Sequence, residues 1–211
     1  MPARIFDEHC RACSRLAVFL DEVGKKYPDY YCKPVPPFGD EGGRFLIVGL
    51  APGMHGANRT GRPFTGDHAG ILLYQMLHKF GFSSQDESLA ADDDLRLTNC
   101  RITNAVKCLP PDNKPVGAEI NTCNSFLVNE LQGLPESSLV LALGGIAHRA
   151  IVKAFATRQA DYKFAHAAVH DLGPIRLLDS YHCSRYNTNT RRLTTEMFEA
   201  IFAQARELLD K

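Results

Sequence analysis

Two pairs of cysteines in this sequence have the spacing of metal ligands. Cys10 and Cys13 are separated by two residues, and Cys108 and Cys123 are separated by fourteen. Two thiolates in a close pair can face one metal ion from a single turn, and the second pair completes a set of four ligands. The spacing alone predicts a metal site, with zinc as the default ion. The alternative is that these cysteines are small buried side chains without a ligand.

Residues 49–67 form the segment with the most groups that could bind a ligand. Five glycines in these 19 residues let backbone amides approach a bound group closely. The segment is not a phosphate-binding P-loop, because no Gly-Lys-Ser or Gly-Lys-Thr step closes it, and it is not a dinucleotide fingerprint. The polar side chains between the glycines are those of His55, Asn58, Arg59, Arg62 and Asp67.

A second polar segment, residues 180–194, is rich in hydrogen-bond donors. It carries His182 directly after a predicted strand, and Arg185, Arg191 and Arg192 follow. A single histidine is more often structural than catalytic, but the position at a strand end beside a basic loop favours a function for His182. The two adjacent arginines fit phosphate contacts and also fit ordinary surface charges at the start of a helix.

The elements that must position these residues alternate along the chain. Short apolar runs predict four strands, and segments with helical spacing of apolar residues predict the helices between them. This alternation is typical of an α/β fold, here a three-layer α/β/α sandwich with a four-stranded parallel sheet. We expect one domain over residues 1–211, entered by an N-terminal helix around Cys10–Val23 that carries the first cysteine pair. The predicted strands are Phe45–Leu50, Arg101–Lys107, Ser138–Leu143 and Pro174–Ser180, and the predicted helices between and after them are Ala69–Phe80, Ala118–Leu131, Ile146–Phe155 and Leu193–Leu209.

Ligands of such sheets bind beyond the carboxyl ends of the strands. Residues 49–67 follow the first predicted strand, residues 104–111 end the second, and residues 180–194 follow the fourth. We therefore expect these three segments to converge on one edge of the sheet.

The balance of charges excludes binding to nucleic acid by overall attraction. The 24 Lys and Arg residues equal the 24 Asp and Glu residues, so the net charge is zero and only a local basic face can attract phosphates. The stretch from Gly81 to Leu95 contains five acidic residues and no basic residue. We expect a solvated loop there, and a loop that lies away from a polyanion site also fits.

The sequence also bears on location. A transmembrane helix needs about 20 consecutive apolar residues, and the longest near-apolar runs, Phe45–Gly53 and Leu139–Ala147, are far shorter. The first residues include Arg4, Asp7 and Glu8 and lack an apolar signal region. We expect a cytoplasmic protein that does not bind membranes, and in that compartment clustered cysteines indicate metal binding or catalysis.

Three motifs resemble those of a known enzyme family. Residues 49–67, with Gly-Leu-Ala-Pro and then Asn-Arg-Thr-Gly-Arg-Pro-Phe-Thr-Gly-Asp, resemble the first motif of the family 5, or type B, iron–sulfur uracil-DNA glycosylases. Residues 102–111 are similar to the middle motif, and residues 180–194 are similar to the last motif, usually written His-Pro-Ser. Cys183 stands where the family usually has proline, so a fixed φ angle is lost directly after His182.

The resemblance implies a uracil-DNA glycosylase fold and a DNA repair enzyme. Such an enzyme flips uracil out of DNA and hydrolyses its N-glycosidic bond, which leaves an abasic site. The resemblance extends the expected substrates to other deaminated bases, and it implies a monomer whose partner is DNA. It also implies that Cys10, Cys13, Cys108 and Cys123 hold a [4Fe-4S] cluster instead of zinc. The competing hypothesis is a non-enzymatic iron–sulfur or zinc module that binds DNA or senses redox state.

The resemblance further implies roles for the residues that contact the base. Phe64 would stack on the flipped base, and Asn104 would read its edge with an amide that offers both a donor and an acceptor. His182 would donate a hydrogen bond to uracil O2 as negative charge develops, with loop amides near Leu50 and Ala51 assisting.

The residue that orients the attacking water is the least defined part of the implied site. Most uracil glycosylases carry an acidic side chain early in the first motif, whereas the corresponding stretch here is apolar, as it is in family 5. Asp67 and Asn58 are the two candidates, and capping of the next helix is an equal alternative for Asp67. Arg185 and Arg191 would follow the phosphates of the DNA.

Overall fold

The computed structural model describes residues 3–211, so the first two residues of the predicted domain lie outside the described part of the chain. Strands and helices alternate along it, with two additional short 3-10 turns. The strands are β1 (Phe38–Gly39), β2 (Phe45–Gly49), β3 (Cys100–Asn104), β4 (Ser138–Leu143), β5 (Val169–Asp171) and β6 (Ile175–Ser180). The helices are α1 (Ser14–Lys26), α2 (Ala57–Thr60), α3 (His68–Lys79), α4 (Gly117–Gln132), α5 (Gly145–Ala154), α6 (Arg185–Asn189) and α7 (Thr195–Leu209).

The six strands form one sheet in the order β1-β3-β2-β4-β6-β5. The four central strands β3, β2, β4 and β6 run parallel, as predicted, and the edge strands β1 and β5 are antiparallel to their neighbours. The two edge strands were not predicted, because segments of two and three residues are too short to show an alternating pattern. The register pairs Gly49 with Asn104 across β2 and β3, which brings the ends of two predicted site segments side by side.

The second predicted strand was too long at its end. β3 stops at Asn104, three residues before the predicted end at Lys107. The backbone N–H of Lys107 turns away from the sheet and donates to the Cys123 sulfur at 3.2 Å. Ala105 and Val106 still donate to the Gly49 and Leu50 carbonyls, and Lys107 then bonds to a residue 16 positions later in the chain, a contact that local sequence does not report.

Each central strand is buried on both faces, as a parallel sheet between helical layers requires. Phe45 and Ile47 of β2 pack into one apolar cluster with residues of α3 and α7, whereas Leu46 and Val48 pack into another with α4 and α5. Successive side chains of a strand point to opposite faces. The three-layer α/β/α sandwich is thus confirmed.

The N-terminal helix begins later than predicted. Cys13 is its N-cap residue, and the first helical hydrogen bond runs from the Ala17 N–H to the Cys13 carbonyl at 2.9 Å. Cys10 lies before the helix in a turn, where its N–H donates to the Asp7 carbonyl. Within residues 3–211, none of the helices is both long and apolar enough to cross a membrane.

Candidate active site

A cavity of about 1210 Å³ opens beyond the carboxyl ends of the parallel strands. Its walls come from the loop after β2, the end of β3, the β4–α5 turn and the start of α6. The predicted convergence of the three polar segments is confirmed, because all of them contribute to this one cavity. The predicted site residues that line it are Leu50, Ala51, Phe64, Asp67, Asn104, His182 and Arg185.

Gly49 lies where two of these side chains meet. A Cβ atom built on Gly49 would lie 2.4 Å from Asn104 Oδ1 and 2.6 Å from Phe64 Cζ, both far inside van der Waals contact. Only a glycine at the end of β2 therefore lets the amide and the ring approach each other so closely. Phe64 itself has a φ of 55°, an uncommon value for a residue with a side chain. Such strain is typical of a residue whose position serves a function.

Asn104 presents an unused acceptor to the cavity. The residue is only 4% exposed, and its Oδ1 atom has no hydrogen-bond partner among residues 3–211. An unpaired polar atom at such a buried position costs stability, so a bound group that donates to it would be favoured.

His182 lies across from Phe64. The two rings are close to parallel, at 27°, with centroids 5.9 Å apart. The Nδ1 atom of His182 has no hydrogen-bond partner within the described chain. Burial lowers the pKa of His182 to about 4, so its imidazole is neutral at neutral pH. A neutral imidazole carries one N–H group and can donate one hydrogen bond from it.

Two contacts hold the backbone around His182. The side-chain amide of Asn187 donates to the backbone carbonyl of His182 at 2.8 Å. The buried thiol of Cys183 donates to the Ala69 carbonyl at 3.4 Å, which ties this segment to the first turn of α3. Burial raises the pKa of the Cys183 thiol, so it stays protonated and can keep donating. The thiol thus supplies a side-chain tether at the position where the family usually has proline.

Asp67 borders the cavity and also caps a helix. Its Oδ1 atom accepts from the Gly70 N–H at 2.9 Å, which confirms the predicted cap of α3. Its Oδ2 atom faces the glycine-rich loop, where a Cβ built on Gly56 would lie 2.5 Å away. Burial raises the pKa of Asp67. The helix cap thus uses Oδ1 and leaves Oδ2 beside the glycine-rich loop.

Asn58 is not among the residues that line the cavity. Its side chain is fully buried and its amide donates to the Cys32 sulfur at 3.5 Å. Its Oδ1 atom has no hydrogen-bond partner among residues 3–211. The structure thus does not bring Asn58 together with Asp67 in the cavity wall, and its catalytic role stays a prediction.

Arg185 and Arg191 occupy different positions at the rim. Arg185 begins α6 and lines the cavity, whereas Arg191 is exposed beyond the end of α6 and does not line it. Tyr186, beside Arg185, is 72% exposed and was not among the predicted site residues. Its signal in the sequence is a tyrosine directly after Arg185, inside a polar, basic loop.

The acidic loop is part of the cavity wall. Asp86 and Glu87 line the cavity, so the predicted solvated loop also forms part of the site. The buried Arg62 guanidinium holds it by donating to Asp93 at 2.5 Å and to Ser88 Oγ at 3.0 Å. Arg62 is consequently committed to a structural ion pair and does not face a ligand.

The four predicted metal ligands come together behind the cavity. Cys10, Cys13, Cys108 and Cys123 line one small pocket, which also contains Leu16 and Phe126. Burial first, and then the neighbouring cysteines, raise the pKa of Cys108. Thiols that share an apolar pocket are poor acids unless a positive group is present.

The four cysteine sulfurs are not gathered as tightly as the ligands of a bound zinc ion. Sulfurs around a tetrahedral zinc with bonds of about 2.3 Å lie about 3.8 Å apart. The one set of three or more candidate ligands within 4.8 Å of one another in residues 3–211 is His148, His170 and Asp179, and the cysteines form no such set. No three of the four cysteine sulfurs therefore lie within 4.8 Å of one another.

Comparison with known proteins agrees with this geometry. A model of the uracil DNA glycosylase superfamily matches residues 36–206. A type-5 uracil-DNA glycosylase from Thermus thermophilus is 48% identical over 94% of this chain and 93% of the relative. The chain belongs to the type-5 uracil-DNA glycosylases. Members from Mycobacterium bovis (42% identity, 94% of this chain and 78% of the relative) and Pyrobaculum aerophilum (39%, 93% and 88%) are also similar to it. The family membership inferred from the three motifs is confirmed, and the cavity of this type-5 protein lies where those motifs meet.

Proposed function

We propose that this chain excises uracil from DNA by hydrolysing the N-glycosidic bond, and that residues 1–211 act as one glycosylase domain. The observation that carries the proposal is the meeting of Phe64, Asn104 and His182 in one cavity. An aromatic face, an unpaired amide oxygen and a neutral imidazole are the groups needed to bind and release a flipped pyrimidine. All of them come from one chain, which supports action as a monomer.

In this proposal the flipped base stacks on Phe64. The Asn104 amide pairs with the edge of the base, and its orphaned Oδ1 accepts the hydrogen of a ring N–H. The apolar Ala51 leaves this pocket less exclusive, which supports activity on other deaminated bases. Family membership supports uracil as the base that defines the reaction.

Bond cleavage leaves negative charge on the departing base and positive charge on the sugar. His182 donates a hydrogen bond to the base O2, and its low pKa keeps the ring neutral so that it can act over a wide range of pH. The amides near Leu50 and Ala51 add further donors. Asp67 orients the attacking water with the oxygen that the helix cap leaves free. The carboxylate also stabilises the positive sugar.

DNA approaches the rim that carries Arg185. That guanidinium contacts a phosphate next to the flipped nucleotide, and Arg191 contacts the backbone further along. The exposed ring of Tyr186 fills the space that the flipped base leaves in the duplex. The acidic residues Asp86 and Glu87 keep phosphates away from the opposite rim.

We further propose that Cys10, Cys13, Cys108 and Cys123 hold a [4Fe-4S] cluster. The donor set fits, because four thiols line one small pocket and no three of their sulfurs lie within the 4.8 Å expected around one ion. The Lys107 N–H donates to the Cys123 sulfur at 3.2 Å, a contact that favours the thiolate. The cluster would cross-link the segment before α1 to the loop after β3 and to α4. A non-enzymatic iron–sulfur module explains these cysteines but not the cavity.

A single assay tests the proposed activity. The purified protein is incubated with a labelled duplex that contains one uracil, in EDTA, and alkali-labile abasic sites are measured. We expect cleavage at the uracil without added metal. His182→Ala should lower the rate by about 10²–10³, the usual effect of removing one such donor.

His78→Ala is the matched control, because His78 is exposed at the end of α3 and does not line the cavity. It should excise uracil at the wild-type rate. A folded wild-type protein that forms no abasic sites would refute the proposed activity. Full activity in folded His182→Ala would refute only the proposed role of His182, and not the proposed activity.

A further inference from the structure

The strand end that carries His182 is held from outside the cavity by residues 162–171. The backbone N–H of Tyr181 donates to His166 Nδ1 at 3.2 Å. The two rings stack at 16° with centroids 5.0 Å apart, and the Arg192 guanidinium covers the Tyr181 ring at 4.6 Å from its centroid. Because a backbone N–H can only donate, His166 must be neutral, with its proton on Nε2.

The same peptide is also fixed on its other side. The Ser180 carbonyl accepts from the Gly144 N–H at 2.8 Å. The peptide group between Ser180 and Tyr181 is thus bonded to the β4–α5 turn at one end and to His166 at the other. Its plane sets the direction in which the chain enters His182, one residue later.

A buried network anchors residues 162–171 against the sheet. The Asp179 carboxylate lies 2.8 Å from His148 Nδ1 and 3.0 Å from His170 Nε2, one histidine on each oxygen. The second nitrogen of His148 donates to the Tyr162 carbonyl at 2.9 Å. These separations are those of hydrogen bonds, and both carboxylate oxygens already have a donor.

Backbone pairing completes this anchor. The Ala167 N–H donates to the Asp179 carbonyl, and the Asp179 N–H donates to the Ala168 carbonyl, each at 2.9 Å. Both bonds lie within two residues of His166. These bonds therefore fix the backbone from which the His166 ring extends.

We propose that His166 is a positioning residue for His182, acting through the Ser180–Tyr181 peptide. The proposal rests on the proposed function, in which His182 is the donor to the departing base. His166 touches no substrate. Its acceptor nitrogen and its ring hold the peptide that aims the catalytic imidazole.

Protonation of His166 should break this contact. An imidazolium carries a proton on Nδ1 and cannot accept from the Tyr181 N–H, so the two donors would repel each other. Burial lowers the pKa of His166, which keeps the contact intact at neutral pH and removes it as the pH falls through that lowered pKa. The titratable or charged groups around it are Asp179 and Tyr181 on and after β6, His148 on α5, His170 on β5, and Arg192 across the Tyr181 ring.

Two substitutions separate the acceptor from the ring. His166→Phe keeps an aromatic ring against Tyr181 and loses the acceptor. His166→Asn places an amide oxygen near the position of Nδ1 and cannot titrate. We expect His166→Phe to lower single-turnover uracil excision by about 10- to 100-fold, the scale of a misplacement of about 1 Å, while the Kd for uracil-containing DNA stays unchanged.

His166→Asn should recover most of that rate and should lose less activity than the wild type as the pH falls through the lowered pKa of His166. Equal rates in wild type and His166→Phe would overturn the proposal. An Asn variant as slow as the Phe variant would also overturn it, because the acceptor would then not be the cause.

A second readout does not depend on activity. The amide NMR signal of Tyr181 and the imidazole nitrogen signals of His182 should shift in His166→Phe and return toward wild type in His166→Asn. If the wild type excised no uracil, the proposed function would fail while these shifts still tested the positioning. Unchanged His182 signals in a folded Phe variant would refute the positioning itself.

Discussion

Replacing Gly49 with alanine should disable the base-binding pocket while leaving the fold intact. The added Cβ would lie 2.4 Å from Asn104 Oδ1 and 2.6 Å from Phe64 Cζ, whereas ordinary contacts begin at 3.4 Å. Both groups must therefore retreat by about 1 Å. Because both are side-chain atoms, the backbone of β2 and β3 can keep its register.

The sizes of the two effects follow from this displacement. Overpacking of this kind typically costs about 1–3 kcal/mol, which for a chain of this length corresponds to a fall in Tm of about 2–12 °C. A misplacement of about 1 Å in a site costs about 100-fold in rate. Gly49→Ala should therefore excise uracil about 100-fold more slowly than the wild type at a temperature where both are folded.

The assay combines single-turnover excision with thermal unfolding. Gly117→Ala is the matched control, because Gly117 opens α4 and an added Cβ there would meet nothing within 4 Å. That control should keep the wild-type rate and the wild-type Tm or a slightly higher one. A Gly49→Ala protein that excises uracil at the wild-type rate would show that Phe64 and Asn104 do not form the base pocket.

Three further predictions concern the acidic loop, the pH dependence of stability and the cluster. Arg62→Met should lower the free energy of unfolding by about 3 kcal/mol, because it leaves the largely buried Asp93 carboxylate without its partner; Arg158→Met, which breaks an exposed pair, should cost less than about 1 kcal/mol. Equal Tm values for these two variants would contradict the role of Arg62 in holding the acidic loop. Because the pKa of His182 is lowered to about 4 in the folded state, its contribution to stability is complete above the unfolded value of about 6.5 and is lost as the pH falls toward 4. The slope of unfolding free energy against pH in that window should become shallower by up to about 1.4 kcal/mol per pH unit in His182→Phe, and unchanged slopes in chemical denaturation would contradict this. Cys10→Ser should lose iron and visible absorbance and should lower the Tm, whereas retention of full iron content would remove Cys10 from the ligand set.

Much of this protein is determined by local patterns in its sequence. The apolar run from Phe45 to Gly49 predicts a buried strand, because its side chains must leave water on both faces of the sheet. The glycine-rich loop after it and the polar segment after β6 lie at strand ends, and the topology of parallel sheets brings strand ends together. Fold class and the convergence of the cavity segments therefore follow from types and spacing of residues, and the family follows from the resemblance of three motifs.

Only the tertiary structure decided which side chains meet within that frame. Asp67 and its polar alternative Asn58 are both candidates in the sequence, yet Asp67 lines the cavity and the Asn58 amide donates to Cys32. Arg62 belongs to the same polar loop, yet its guanidinium is paired with Asp93 and does not line the cavity.

His166 shows the same limit most directly. Nothing near it in the sequence marks a function, and its contact with Tyr181 spans 15 residues and depends on β5 folding back along β6. Spacing along a chain constrains neighbours within a turn or a strand. Contacts between distant segments depend on how the whole sheet and its helices pack, and that packing determined which polar groups of this protein came to surround His182.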